Sequence, residues 1–430
     1  MGIAFPIALI VLTCLVIWRA CDGFEIASEY LGRNLSEGVR GGTINAISSS
    51  IPELLTTVIA LFFLADEEGF AIGLGTTAGS AVFNGMIIPA VCIFSVIGAT
   101  IGGKKVTSVD VQNKVILRDG LALVACEIAV LVLLTRPTLA WWQGGILMLM
   151  YVMYLTYMLT SMRYRSAVAD EQVDENQTDA AEDVHEEGDE EGDGETGPLG
   201  RIVYWLSGGP LLDLESLFVR SGHRRKMESE TWNAWPLLIT STALMGVACY
   251  VLVMACEWLG SGPGNAAHPS YQIFGWELTG IGMAPIFVAV IFASMATSVP
   301  DTVMSIRDAR DGDYDDAVAN ALGSNIFDIG FALGFPLFAY TLVFGPITLT
   351  ESIAMQTGQI LFLLLILTIV GFFVYFIGPR GVSDDGTTHI KMSRGTATML
   401  LALYVAFLTY IIGTVAEWPW AVTFSSWLTI

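Results

Sequence analysis

The sequence has 430 residues, of which 53% are hydrophobic and only 14% are charged. This composition excludes a large soluble enzyme and is typical of a protein that crosses a membrane many times. The net charge of −22 is concentrated in one place, because 14 of the 42 acidic residues lie between positions 170 and 195, where lysine and arginine are absent. With five lysines against fifteen arginines, this acidic balance indicates a halophilic protein, and we expect no nucleic-acid partner.

Ten apolar segments predict an all-α polytopic membrane protein with ten transmembrane helices. A polar stretch separates the first five segments from the last five. The sequence therefore predicts a first five-helix repeat over residues 1–161, a cytoplasmic loop over 162–233 and a second five-helix repeat over 234–430. The expected spans are residues 4–31, 38–64, 71–98, 117–135, 139–161, 234–257, 278–306, 314–340, 354–377 and 396–415.

The central loop divides into two parts of different composition. Residues 170–200 are acidic and poor in large apolar side chains, which predicts a disordered segment. A regulatory Ca2+ site there is the alternative interpretation, although the segment lacks an EF-hand pattern. Residues 201–226 hold short apolar pieces and end in a basic HRRK cluster. We therefore expect this second part to lie on the membrane surface.

The distribution of basic residues predicts the orientation of the spans. With the N-terminus outside, nineteen of the twenty lysines and arginines fall on the cytoplasmic side and only Arg136 falls outside, in agreement with the positive-inside rule. Both termini are then extracellular, the central loop is cytoplasmic, and the plasma membrane is the expected location. Five spans in each half insert with opposite topology. This predicts an inverted repeat with broken helices and a binding site at the bilayer midplane.

A motif in the second half, ATSVPD followed by GSNIFD, recurs in the first half as SSSIPE followed by GSAVFN. The offset is 248 residues for the proline and the acid, and 244 residues for the serine and the last residue of the second motif. Acidic residues within membrane spans cost about +2.5 to +3.5 kcal/mol on insertion scales and usually mark an ion path. The matching pairs are Pro52 with Pro300, Glu53 with Asp301, Ser80 with Ser324, and Asn84 with Asp328.

The residue types of this repeat suit a hard cation. Each proline removes a backbone donor, so the carbonyl four residues earlier, at Ser48 or Ala296, loses its helical partner. A serine, Ser50 or Ser298, lies three residues before the acid on the same helix face. Carboxylate, hydroxyl, amide and carbonyl oxygens are the ligands that Ca2+ takes in sets of about six to eight, and Na+ accepts similar ones. No thiolate or imidazole accompanies them to favour zinc or copper.

Each of these residues also has a simpler interpretation. A proline in a membrane helix is more often a kink than part of a site, and a serine in a span usually bonds to its own helix. Glu127 has no counterpart in the other half, so it is either transport-related or a buried hydrogen-bonded acid. The six cysteines lie in or beside apolar runs without metal-ligand spacing, and we interpret them as small buried side chains. The recurrence of the whole pattern in two halves favours a functional site.

The repeated motifs resemble those of the cation/Ca2+ antiporter superfamily, the sodium/calcium exchangers and their relatives. SSSIPEL and ATSVPD are similar to the paired GTS-hydrophobic-PE signatures of that family, and GSAVFN and GSNIFD are similar to the segments that follow them. The resemblance implies that the ions are held by Glu53, Asp301, Asn84 and Asp328. It also implies that the sites are completed by Ser50, Ser298, Ser80, Ser324 and the backbone around Ala46, Ser49, Ser294 and Thr297.

The chain departs from the family pattern at several positions. Ser48 and Ser49 stand where the family has glycine and threonine, and Ala296 replaces glycine in the second copy. Asp301 replaces glutamate, which shortens that side chain by one methylene. Ala81 stands where asparagine is usual. These departures bear on the identity and number of the transported ions rather than on the fold.

We predict a secondary antiporter that exchanges Ca2+ for Na+, with no enzymatic activity and no cofactor. The expected ligand set is Glu53, Asp301, Asn84, Asp328, Ser50, Ser298, Ser80, Ser324, Ser49 and Thr297. The alternative is coupling to H+, or transport of another divalent cation such as Mg2+ or Mn2+; a cation channel or a sensor is the more distant alternative. The expected partners are the transported cations and the lipid bilayer, and we expect a monomer. The family resemblance implies that spans 1 and 6 move against the other eight.

Overall fold

The computed structural model describes residues 2–31, 46–64, 67–101, 104–174, 205, 209–214, 218, 234–263, 268–382 and 387–428. Most of the acidic part of the central loop and most of its amphipathic part lie outside these residues. The predictions of a disordered and a membrane-surface segment therefore stay predictions there.

Helices make up most of the described chain, as the apolar segments predict. They begin and end within a few residues of most of the expected spans. The helices are α1 Ala4–Leu31, α2 Ala46–Ser49, α3 Ile51–Ile59, α4 Glu67–Val96, α5 Asn113–Leu134, α6 Trp141–Asp174, α7 Ala234–Gly260, α8 Pro285–Val288, α9 Ser294–Thr297, α10 Val299–Asp311, α11 Tyr314–Phe327, α12 Gly334–Phe344, α13 Glu351–Tyr375, α14 Arg394–Val415 and α15 Pro419–Leu428. Three π-helical segments interrupt or extend them, at Ala60–Leu64, Ala289–Ala293 and Asp328–Ala332.

The described residues contain eight helical segments that are long and apolar enough to cross a membrane, and a bent pair of helices from Pro285 to Asp311 makes a ninth. This establishes a polytopic membrane protein. Helix α5 occupies the remaining expected span but is not among these segments. It carries Arg118, Asp119 and Glu127, which make it less apolar than the others. Ten crossings therefore stay a prediction.

Helix α6 is longer than the sequence predicts. It continues to Asp174, whereas the expected span ends at 161 and the acidic disordered segment was expected from 170. Residues 162–174 have no glycine or proline, and seven of the thirteen are methionine, arginine, alanine, glutamate or glutamine, which are good helix formers. The apolar run ends at the membrane, but the helix does not.

A helix in each half is interrupted at a single serine, and the two serines are repeat equivalents. Ser50 separates α2 from α3 with φ −96° and ψ 5°, and Ser298 separates α9 from α10 with φ −82° and ψ 1°. The following proline lies in the first turn of the next helix, where a missing N–H costs nothing. The second pair is bent by 42° at its break. The prolines therefore open the helix one turn before the acid, as the sequence predicts.

The described connections between helices contain nine short strands, which the all-α prediction did not include. All pairings are antiparallel. The strands are β1 Thr100–Ile101, β2 Lys104–Lys105, β3 Val109–Gln112, β4 Thr138–Leu139, β5 Tyr271–Ile273, β6 Trp276–Leu278, β7 Ile347–Thr348, β8 Arg380–Val382 and β9 Thr388–Met392.

The strand pairing joins the two halves crosswise. Strand β3, between α4 and α5, pairs with β9, which precedes α14. Strand β4, between α5 and α6, pairs with β7, which precedes α13. Each pair therefore combines the loop before the fourth expected span of one half with the loop before the fifth expected span of the other. These pairings fix the ends of the helices on both sides of the site.

Close packing of α6 against α12 depends on a glycine of α6. A methyl group at Gly144 would overlap the carbonyl oxygen of Gly334 and would lie 2.6 Å from the backbone nitrogen of Phe338. At the neighbouring Gly145, the nearest atom is a ring carbon of Phe338 at 3.6 Å, an ordinary contact. Only the first of these two adjacent glycines is required for the approach of the backbones.

We therefore expect Gly144→Ala to lower the free energy of unfolding by about 1–3 kcal/mol, the usual cost of overpacking, and Gly145→Ala to leave it unchanged. Thermal unfolding of the two purified variants in the same detergent measures the difference. Equal midpoints for the two variants would contradict the proposed packing of α6 on α12.

Candidate cation-binding site

Four helical segments bring the predicted site residues together in the interior. Glu53 lies in the first turn of α3 and Asp301 in the first turn of α10, where the positive end of a helix stabilises a carboxylate. Helix α4 supplies Ser80 and Asn84, and α11 with its π-helical extension supplies Ser324 and Asp328. All ten predicted residues have 0% exposed surface: Ser49, Ser50, Glu53, Ser80, Asn84, Thr297, Ser298, Asp301, Ser324 and Asp328.

Two glycines of α4 bring this helix against the second half of the chain. A methyl group at Gly75 would lie 2.5 Å from the carbonyl oxygen of Ile286, and one at Gly79 would overlap the carbonyl oxygen of Val290. The backbones of α4 and of the segment around Ala289–Ala293 therefore touch. This contact positions Ser80, the next residue of α4, directly beside the break at Ser298.

Within each half, the serine of the second motif donates a hydrogen bond to the acid of the first. Ser80 Oγ lies 3.2 Å from Glu53 Oε1, and Ser324 Oγ lies 3.0 Å from Asp301 Oδ1. These two contacts join equivalent residues, so the sequence repeat is also a repeat of side-chain contacts. The second motif of each half therefore orients the carboxylate of the first.

Further contacts connect the two halves. Asn84 Nδ2 donates to Asp301 Oδ2 at 2.9 Å, and Ser80 Oγ lies 3.0 Å from Asp328 Oδ2 and 2.8 Å from Ser298 Oγ. Asn84 Nδ2 is also 3.3 Å from Ser80 Oγ. Ser80 thus contacts polar groups of both halves. Because a hydroxyl has one proton to donate, it can donate to only one of these groups at a time.

Ser49 and Thr297 lie on the short helices before the two breaks. Ser49 Oγ lies 3.4 Å from the carbonyl oxygen of Ala46, and Thr297 Oγ1 lies 3.1 Å from that of Ala293 and 3.2 Å from that of Ser294. Their hydroxyls therefore bond to their own helices. Each also faces the acid of the opposite half: Ser49 faces Asp301 and Thr297 faces Glu53.

Several buried oxygen atoms at this site have no hydrogen-bond partner. They are Ser50 Oγ, Glu53 Oε2, Asn84 Oδ1 and Asp328 Oδ1. Within the described parts of the chain, no lysine, arginine or histidine forms an ion pair with Glu53, Asp301 or Asp328. A buried polar oxygen without a donor is costly, and a buried carboxylate without a counter-charge more so. Cations bound at the site would supply the charge and the partners that these oxygens lack.

The site is not a compact cluster of acids. Among the described residues, no group of three or more histidine, cysteine, aspartate or glutamate side chains has the arrangement of a metal centre. A cation here would depend on hydroxyl and amide oxygens as much as on the three carboxylates. Such mixed oxygen sets are typical of Ca2+ sites.

One polar residue beside the site, Asn325, was not predicted from the sequence. Asn325 Nδ2 donates to the carbonyl oxygen of Ala81 at 2.9 Å, and its Oδ1 is buried without a partner. Asn325 and Ala81 are repeat equivalents, at the same offset of 244 residues. The replacement of the usual asparagine by Ala81 was the signal: only one of the two positions retains a side-chain amide.

Two of the cysteines contact the broken helix of the first half. Cys21 Sγ of α1 donates to the carbonyl oxygen of Ser48 at 3.4 Å, and Cys249 Sγ of α7 donates to that of Pro52 at 3.6 Å. The Ser48 carbonyl is the one that Pro52 deprives of its helical donor. The prediction of buried cysteines is confirmed for five of the six, and Cys14 is half-buried. Two of them also stabilise the break, which the sequence did not indicate.

A family model described as sodium/calcium exchanger protein matches residues 5–160 and 233–413, which is well over half of the sequence. The chain belongs to this family. This match confirms the resemblance of the motifs. Members of the family are ion exchangers rather than enzymes. The match covers both repeats and leaves out the central loop.

Two human relatives illustrate how far the similarity extends. Sodium/potassium/calcium exchanger 3 is 36% identical over 143 residues, which are 32% of this chain and 20% of that protein. Sodium/potassium/calcium exchanger 5 is 24% identical over 459 aligned positions, which cover 94% of this chain and 78% of that protein. The chain therefore matches about a fifth of the length of the first relative and most of the second.

The fold is also that of a solved exchanger. The crystal structure of the H+/Ca2+ exchanger CAX matches with a TM-score of 0.54, over 98% of this chain and 91% of that one, at 9% sequence identity. At this identity the match concerns the arrangement of helices. It agrees with a polytopic exchanger fold along nearly the whole chain.

The contacts of Ser80 predict its effect on cation binding. Ser80→Ala removes a hydroxyl that contacts two carboxylates, and hydrogen bonds to charged groups are worth about 1.5–3 kcal/mol. We therefore expect Ca2+ binding to purified protein to weaken about tenfold or more, as measured by isothermal titration calorimetry. Thr76→Val is the matched control, because Thr76 lies one turn earlier on α4, is buried and bonds only to the carbonyl of Ile72. Equal weakening in both variants would show that Ser80 has no special role.

Proposed function

We propose that this protein is a secondary antiporter that exchanges cytoplasmic Ca2+ for external Na+ by alternating access. The observation that carries this proposal is the set of three fully buried carboxylates, with unpartnered oxygens around them and, in the part of the chain that the structure describes, no cationic side chain paired to them. Such a site needs cations from solution. The family to which the chain belongs supports the same function.

The proposed ligands follow from the contacts. Glu53 and Asp301 are the central carboxylates, and Asp328 and Asn84 flank them. Glu53, Asn84 and Asp328 each keep one buried oxygen without a partner, as does Ser50. The hydroxyl groups and the freed backbone around them complete the set: Ser50, Ser80, Ser298, Ser324, Ser49 and Thr297. Together they supply enough oxygens for the six to eight ligands, roughly, that Ca2+ takes.

Exchange follows from competition for shared oxygens. Three carboxylates carry a formal charge of −3, which several Na+ ions neutralise, or one Ca2+ together with one proton. An empty pocket would keep uncompensated charge in a low-dielectric interior, and moving it past the membrane centre is costly. The protein therefore switches between its outward-facing and inward-facing states readily only when ions are bound. This couples the movement of one ion to that of the other.

The two halves are proposed to be inverted repeats with five spans each. The equivalent backbone angles of Ser50 and Ser298 and the crosswise pairing of β3 with β9 and of β4 with β7 support a two-fold relation between them. The basic residues support extracellular termini and a cytoplasmic central loop in the plasma membrane. Helices α1 and α7 are the proposed moving pair. Part of their contact forms small hydrophobic clusters separate from the main core, such as that of Ala20, Cys21 and Met245.

The coupling ion has specific alternatives. The structural neighbour CAX is an H+/Ca2+ exchanger, and the names of the matched relatives include potassium. Uptake of 45Ca2+ into proteoliposomes under separate Na+, H+ and K+ gradients distinguishes these cases. We expect uptake with a Na+ gradient, while uptake that a pH gradient alone drives would replace sodium by protons as the coupling ion.

We expect Glu53→Gln and Asp301→Asn each to reduce Na+-driven Ca2+ uptake at least tenfold, because each removes a charge that binds both ions. Glu351→Gln is the control, since Glu351 is exposed at the start of α13. Uptake at the unmodified rate in either site variant would contradict the proposed ligands. Loss of uptake in the control as well would point to a folding defect instead.

The proposed topology predicts the sidedness of two exposed loop positions. Phe274, in the turn between β5 and β6, is 91% exposed, and Val382, at the end of β8, is 73% exposed. With Phe274→Cys, a membrane-impermeant maleimide added to intact cells should label the protein. With Val382→Cys, it should label only after permeabilisation. The unmodified protein is the control for its own, mostly buried, cysteines. Labelling of both variants from the same side would contradict the proposed topology of the second half.

A further inference from the structure

One buried carboxyl group lies outside the cation site. Glu127, in the middle of α5, has 0% exposed surface and makes no contact with the predicted ligands in the described structure. It has no equivalent acid in the second half. The exchange mechanism proposed above does not use it.

The surroundings of Glu127 offer one hydrogen-bonding side chain. Thr368 Oγ1 of α13 lies 2.6 Å from Glu127 Oε1, and Glu127 Oε2 is buried without a partner. The charged residues earlier on α5, Arg118 and Asp119, bind each other at 2.6 and 2.7 Å. No cationic side chain of the described residues pairs with Glu127.

The tyrosines of α6 and α13 in this region form hydrogen bonds with other groups. Tyr154 of α6 donates to Asp119 Oδ1 at 3.0 Å, and Tyr375 of α13 bonds to the carbonyl oxygen of Gly85. Cys126 is the neighbour of Glu127 in the chain. None of these groups supplies a positive charge, so an ionised Glu127 would be a carboxylate with a single hydroxyl donor in an apolar interior.

Such a carboxylate is unstable, whereas the neutral acid is not. Removing a charge from water without a counter-ion is far more costly than burying a neutral polar group. A protonated Glu127 can donate its proton to Thr368 Oγ1 across the observed 2.6 Å. Only an uncharged carbonyl oxygen is then left without a partner.

A small cavity extends from Thr368, the hydrogen-bond partner of Glu127, to Asn325 beside the cation site. Its volume is about 20 Å3, and Thr368, Leu123 and Asn325 are among the residues that line it. A cavity of this size accommodates one water molecule. Asn325, whose Oδ1 is buried without a partner, is the polar residue at the α11 side of this cavity. A proton on such a water can therefore reach the Thr368 hydroxyl, which passes it to Glu127 across their hydrogen bond.

We propose that Glu127 is a proton-binding site separate from the cation ligands, that it stays protonated while cations bind, and that it exchanges its proton through this cavity. Loss of the proton at alkaline pH places an unpaired charge between α5 and α13, next to the helices that hold the cations. Exchange should therefore fall on the alkaline side for a reason that is independent of the cation ligands.

Infrared spectroscopy of the purified full-length protein in lipid nanodiscs tests the protonation directly. With saturating Na+, which neutralises the ligand carboxylates without a proton, we expect a carbonyl band of a protonated carboxylic acid that is absent in Glu127→Gln. In Thr368→Val the band should remain but shift to higher frequency, because its hydrogen bond is lost. If the unmodified protein and Glu127→Gln have identical spectra in the range of this carbonyl band, the proposal is overturned.

The pH profile of Ca2+ uptake tests the functional consequence. Glu127→Gln has nearly the shape of the neutral acid, so it should transport normally near neutral pH and retain several-fold more uptake than the unmodified protein at alkaline pH. Superimposable pH profiles would overturn the role in exchange. The infrared result does not require transport, so a failure of the antiporter proposal would leave the proton site testable on its own.

Discussion

Three acidic side chains that no basic side chain of the described residues neutralises are the constraint on which this structure depends. Glu53, Asp301 and Asp328 are completely buried, and such burial is tolerated only if cations or protons from solution neutralise the charge. Several features of the interior serve these groups. The helix breaks place two carboxylates at helix N-termini, the glycines of α4 bring the halves into contact, and the serines orient the acids.

The break in the first half is itself stabilised by its neighbours. Freed carbonyls are tolerated in a membrane only when they find another partner, and Cys21 provides one for Ser48 while Cys249 contacts the next turn. These thiols belong to α1 and α7, the proposed moving pair. The helices that would move are therefore attached to the backbone that carries Glu53, so displacement of one is felt at the other.

Much of the site could be predicted because its residues recur. Glu53, Ser80 and Asn84 were recognised from their counterparts in the second half, and the two breaks from the prolines. Contacts that depend on how the halves pack could not be predicted, such as that of Asn325 with Ala81 or those of the thiols. Nor could the strands, because segments of two to five residues are too short to show an alternating pattern. The end of α6 was misplaced because apolarity marks the membrane boundary rather than the helix terminus.

The repeat is not perfect at its centre, because an amide in one half stands where the other half has an acid. If the two halves were identical, the outward-open and inward-open forms of an inverted repeat would be related by symmetry and would have equal energy. Asn84 is the repeat equivalent of Asp328, and Ser80 contacts both halves whereas Ser324 contacts one; these differences remove the degeneracy. The protein without bound ions then prefers one of the two states, and a free-energy difference of about 1.4 kcal/mol already makes that preference tenfold.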